Sequence, residues 1–109
     1  MVGMGKRNHP FALSALRLLR GMLSRYAEHP PEPFSLYSLI NLLPSSQRRD
    51  RVRGMVRRLE LLGWVESWED GEGHVRYLPS EKALKDLPFI DRMIEVLELL
   101  GSGEEEEES

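Results

Sequence analysis

Between residues 46 and 58 the sequence sets six arginines (Arg48, Arg49, Arg51, Arg53, Arg57 and Arg58) against one acid, Asp50. Six positive charges less one give +5 locally, in a chain whose net charge is −3. A guanidinium is planar, permanently charged and carries paired donors that match phosphate oxygens, or O6 and N7 of guanine. Like charges one turn apart on a helix repel by roughly 0.2–0.5 kcal/mol per pair. An external polyanion answers that repulsion, and nucleic acid is the commonest one. The plainer reading is a solvated face on which arginine serves helix propensity, and it lacks the interleaved acids such faces carry. Other chemistry is sparse. His9, His29 and His74 are scattered, and the chain has no Cys, no HExxH and no glycine-flanked serine. No catalytic residue, metal site or cofactor is expected, and the chain is not read as an enzyme.

The arginines need a scaffold, and periodicity supplies one. Val52, Met55, Val56, Leu59 and Leu62 share one side of a helix over about 46–62, capped by Ser45 or Ser46, with arginines on the other side. Before it, a short helix capped by Ser35 runs through Leu43, with Leu36, Leu39, Ile40 and Leu43 inward. Short helix, tight turn at Pro44, then a helix with a polar face is a helix-turn-helix arrangement. Further upstream, a helix starts at Pro10 and buries Phe11, Ala12, Ala15, Leu16, Leu19, Leu23 and Tyr26, with Leu18 and Met22 beside them. Arg17, Arg20 and Arg25 face outward from it, and His29-Pro30-Pro31-Glu32-Pro33 ends it. Residues 1–8 read as a flexible arm.

Downstream, Trp64-Val65-Glu66-Ser67-Trp68 and His74-Val75-Arg76-Tyr77-Leu78 read as strands of a β-hairpin, turned by glycines at 71 and 73. Ser80 caps a helix through about Leu87. Pro88 opens a last helix over about 88–100, which Gly101-Ser102-Gly103 stops. The run 104–108 is all Glu, so 101–109 is expected to be a disordered acidic tail. Removing its five charges leaves 15 basic and 13 acidic residues in 1–103, a net +2. One domain of 109 residues can bury about two thirds of its unfolded surface. No apolar run approaches about 18 residues and no signal-peptide pattern opens the chain, so neither membrane insertion nor secretion is expected. The fold class is therefore mostly α with a small β-hairpin, α+β.

Three helices, a hairpin and a further helix is also the order of a winged helix-turn-helix domain. The segment Arg58-Leu59-Glu60-Leu61-Leu62-Gly63-Trp64-Val65-Glu66-Ser67-Trp68, with Gly73, Arg76-Tyr77-Leu78 and Glu81-Lys82, resembles the helix-to-wing region of PadR-type regulators. It is similar, more loosely, to MarR and ArsR types. Ala83 stands where the family often has Gly, and the family's Leu-Tyr-Pro segment is missing. The resemblance implies a winged-helix domain over 9–100 with its recognition helix at 46–62, its wing at 64–78 and an additional C-terminal helix. It implies a dimeric transcriptional regulator on double-stranded DNA, cytoplasmic and nucleoid-associated, with the helix in the major groove.

On that expectation Arg51, Arg53 and Arg57 reach base edges or inner phosphates. Arg48 and Arg49 reach phosphates, and Gln47 pairs with adenine or stays solvated. Arg76 either touches DNA or pairs with Glu66 across the hairpin, while Trp68 partly covers the core. Arg17, Arg20 or Lys6-Arg7 give support. The last helix, apolar on more than one side, joins two subunits through Ile90, Met93, Ile94, Leu97 and Leu100, spacing the recognition helices by about one DNA turn, roughly 34 Å. Residues 66–76 carry four acids and one Arg, a net −3. The alternative is therefore a winged-helix protein-interaction module whose partner binds the acidic wing or tail.

Overall fold

Apolar residues three and four apart build α1 (Val2–Glu28), whose buried side carries Ala15, Leu18, Leu19, Met22 and Leu23. The computed structural model describes residues 2–28, 32–43 and 48–108, with side chains over 11–28, 32–43 and 48–100. α1 begins at Val2, where the sequence reading starts it at Pro10. Pro10 lacks an N–H, but its fixed φ suits the helix; it removes one ladder bond without ending the element. Ala12, expected inward, is exposed.

Ser35 caps α2 (Leu36–Ile40) reciprocally. Its Oγ accepts from the Ser38 N–H at 3.1 Å, and Ser38 Oγ accepts from the Ser35 N–H at 2.8 Å. The chain tightens into i→i−3 turns at Leu42 and Leu43, which keeps Leu43 buried beyond the helix. α3 (Arg49–Leu61) follows, starting later than expected. Ser45 and Ser46 lie outside the described residues. Arg48 holds the cap position in extended backbone with no side-chain cap bond, since a guanidinium has no acceptor.

The end of α3 is well specified. Gly63 takes φ +84°, the Gly63 N–H donates to the Glu60 carbonyl at 2.9 Å, and the Trp64 N–H to the Leu59 carbonyl at 3.0 Å. These are the two bonds of a Schellman stop, at a φ that L side chains avoid. Ser80 reinforces it, donating to the Gly63 carbonyl at 2.6 Å while its Oγ accepts from the Ala83 N–H at 3.2 Å. The end of α3 is thereby tied to the start of α4 (Glu81–Lys85).

Between them, β1 (Val65–Glu69) and β2 (Val75–Pro79) pair antiparallel, with Val65 opposite Pro79, Ser67 opposite Tyr77 and Trp68 opposite Arg76. Phe34 adds a two-bond bridge to Tyr77 on the far edge of β2. Alternation turns Val65, Tyr77 and Pro79 inward and leaves Trp68 outside, 40% exposed, so it does not cover the core. Its cross-strand partner Arg76 shares the outer face.

α5 (Leu87–Glu108) packs along α1. Ile90 is fully buried there, and Ile94 packs against the same core. Arg17 to Glu98 and Arg20 to Asp91, each at 2.7 Å, bolt the two helices along their flank. α5 continues through 101–103 to Glu108, where the sequence reading expects a stop and a disordered tail. The architecture is mostly helical with one two-stranded antiparallel hairpin, an α+β fold. No described helix is long and apolar enough to cross a membrane.

Candidate nucleic-acid interface

α3 presents its arginines in two rows, because Val52, Met55, Val56 and Leu59 are buried and split the remaining surface into flanks. One flank faces α1. Arg51 lies with its guanidinium carbon 5.0 Å from the Phe11 ring centre, and Arg58 lies 5.2 Å from the same ring. A cation over an aromatic face is worth about 0.5–1 kcal/mol at an exposed site. Arg51 is half-buried by this packing. It is accordingly not among the outward-pointing side chains with which the sequence reading grouped it.

The other flank carries Arg49, Arg53 and Arg57, each four residues from the next and all exposed. Arg53 approaches Asp50 at 4.0 Å, with side-chain exposures of 55% and 83%, a contact worth roughly 0.3–0.5 kcal/mol at most. Arg48, Arg49 and Arg57 hold no carboxylate among the described residues. Elsewhere Arg17, Arg20, Arg76, Lys82 and Arg92 each have an acid within 3.1 Å, while Arg25 and Lys85 have none among the described residues. Gly54 lies on the outer surface between the rows, and a Cβ added there meets nothing within 4 Å.

A groove of about 400 Å³ separates this flank from the hairpin, lined among others by Ser35, Arg49, Arg53, His74 and Arg76. Tyr77 closes its floor; burial raises its phenol above the ordinary value, Glu60 adds to that, and Arg53 opposes it. Three arginines from two elements thus reach one concave surface that the linear sequence separates.

Arg76 is tied down, and not by Glu66. The register places Glu66 opposite Leu78, whereas Arg76 Nε donates to Asp70 at 3.1 Å. Asp70 also accepts the His74 N–H at 3.0 Å and the Glu72 N–H at 2.8 Å. Those backbone donors, His74 first and Glu72 second, with Arg76 behind them, hold its carboxyl below the usual range despite some burial. At the other end of the hairpin the Trp64 indole N–H, then Lys82, lower Asp86 in the same way.

No family model matches the chain, and no curated protein matches it. Of the expected DNA-contacting residues, the structure brings Arg49, Arg53 and Arg76 to one groove and leaves Arg48 and Arg57 exposed beside it. Gln47 lies outside the described residues, as do the side chains of Lys6 and Arg7. Arg17 and Arg20, offered as support, are spent on α5. Sequence reasoning missed Phe11 as the seat of two arginines and His74 as a groove wall. The first was half legible, since Arg51 and Arg58, seven apart, must share a flank. Nothing local signals that Phe11 meets it.

Proposed function

We propose that this chain binds double-stranded DNA through the exposed flank of α3, with Arg48, Arg49, Arg53 and Arg57 on phosphates and base edges. The observation that carries the reading is the contrast in pairing. A fold that supplies an acid to five cations elsewhere leaves Arg49, Arg51, Arg57 and Arg58 of α3, and Arg48 at its cap, without any among the described residues. Desolvating guanidinium groups against phosphate gains more than leaving them in water, because bound counterions are released. The order of elements and the hairpin after Gly63 support a winged helix-turn-helix architecture, with α3 as recognition helix and transcriptional regulation on the nucleoid as the role.

The reading includes a homodimer, along a seam that differs from the expected one. Ile90 is fully buried within its own subunit and so is not available to a second, and Ile94, partly buried, packs against the same core. Phe89, Met93, Val96 and Leu100 follow each other at spacings of four, three and four on a flank of α5 about 100° round from Ile90. That is an a/d seam, with Phe89 55% and Leu100 57% exposed and Met93 and Val96 half-buried. Over about 17 Å of helix it is self-complementary in antiparallel register, Phe89 facing Leu100 and Met93 facing Val96.

The test is binding to a labelled duplex of random sequence and to genomic fragments at 50 and 200 mM salt, with Arg57→Ala and Arg53→Ala alongside. A dimer making six to ten phosphate contacts loses about 10³–10⁵ in affinity across that range. Affinity that ignores salt, or that both variants retain in full, refutes the reading. A protein-interaction module is the second reading, favoured by Leu61 at the end of α3, which is 82% exposed.

A further inference from the structure

From the geometry of the hairpin we infer a second binding surface, on the outer face of β1, which takes an extended Lys/Arg-bearing segment of a protein partner. It does not depend on the DNA reading. The two tryptophans differ sharply. Trp64 is buried and already carries a cation, Lys82 Nζ at 5.2 Å from its ring. Trp68 is 40% exposed and has no cation over its ring among the described residues. The one arginine across from it, Arg76, is drawn to the turn by Asp70 at 3.1 Å. Asp70 is itself fixed by two backbone N–H groups, so Arg76 is held there and the indole face stays open.

An acid shares that open face: Glu66 is two residues away on the same side of the strand, and the hairpin around it is acidic, with Glu69 on the opposite side and Glu72 in the turn both exposed. An open indole beside a carboxylate attracts ammonium or guanidinium groups twice over, through the ring quadrupole and through charge. The same charges repel phosphate, which sets this surface apart from α3.

The strand edge sets the shape of the occupant. The Asp70 N–H to His74 carbonyl bond and the Ser80 N–H to Trp64 carbonyl bond fix the phase of the ladder. The main-chain groups of Val65, Ser67 and Glu69 therefore point away from β2. β2 has its far edge bridged by Phe34, but among the described residues β1 has no neighbour on its free side. An added strand there satisfies those groups and lays alternate side chains beside Trp68 and Glu66.

The probe is a fluorescein-labelled nonapeptide of alternating Lys and Val, with an alternating Glu and Val peptide as control, titrated into the full chain by anisotropy. Saturable binding of the Lys peptide alone is expected, weakened about tenfold by Trp68→Ala, less by Trp68→Phe, and about threefold by Glu66→Gln. Arg57→Ala leaves it unchanged. The exposed positions make unfolding easy to exclude by far-UV circular dichroism. Equal binding by wild type and Trp68→Ala overturns the inference, as does loss of binding on deleting 104–109, which assigns it to the glutamate run. A shift of Trp68 fluorescence by duplex DNA in place of the peptide also overturns it.

Discussion

Gly54→Ala separates the stability of α3 from its use. The residue sits in mid-helix, where Gly is less favourable than Ala by about 0.8–1 kcal/mol. The added methyl meets no atom within 4 Å, so no steric term opposes the gain. Stabilisation of about 0.5–1 kcal/mol follows, and in a domain of this size about 1 kcal/mol moves Tm by roughly 4–8 °C. Thermal unfolding by circular dichroism, with urea titration for the free energy, measures it. If the outer face of α3 docks on DNA, the same methyl stands where backbone approaches the duplex. Affinity then falls severalfold while Tm rises. An unchanged or lowered Tm refutes the reasoning at its first step, because it means that something covers Gly54 in the free protein. A raised Tm with unchanged affinity refutes the second step, and places the docking surface nearer the groove.

Four other outcomes are expected. Arg51→Ala lowers stability by about 0.5–1 kcal/mol through lost packing on Phe11 and scarcely alters the salt slope of DNA binding, whereas Arg57→Ala does the reverse, reducing the slope by about 1; urea titrations and two-salt anisotropy read both. Val96→Glu converts the dimer to a monomer by sedimentation or light scattering, while a mixture of Met93→Cys and Val96→Cys chains cross-links heterologously if the seam is antiparallel. Leu59→Ala, at a side chain 2% exposed, destabilises by about 2–5 kcal/mol in the same urea assay. Asp70 and Asp86 have depressed carboxyl pKa values in the folded state, so the stability they add is present above the unfolded value of about 3.9 and is lost as pH falls through the folded values. Asp70→Asn should therefore flatten the acid limb of a Tm-against-pH curve and loosen hairpin amides in hydrogen exchange.

Local chemistry made much of this chain readable in one dimension. Ser35 and Ser80 cap because a short hydroxyl reaches an N–H two or three residues on, and Gly63 stops α3 because it tolerates positive φ. Leu59 and Met55 are core because 3.6-residue periodicity puts them with Val52. Those forces act within one turn, so spacing alone determines them. Only the tertiary structure decided which cations are spent and which remain. Arg17 and Arg20 look as free as Arg57 until α5 brings Glu98 and Asp91 alongside, and Arg51 looks outward until Phe11 arrives from forty residues away. Ile90 and Phe89, adjacent and equally apolar, part company because α1 covers one flank of α5 and leaves the other open. Charge and apolar area are properties of a residue, but whether they are satisfied depends on what the fold places against them.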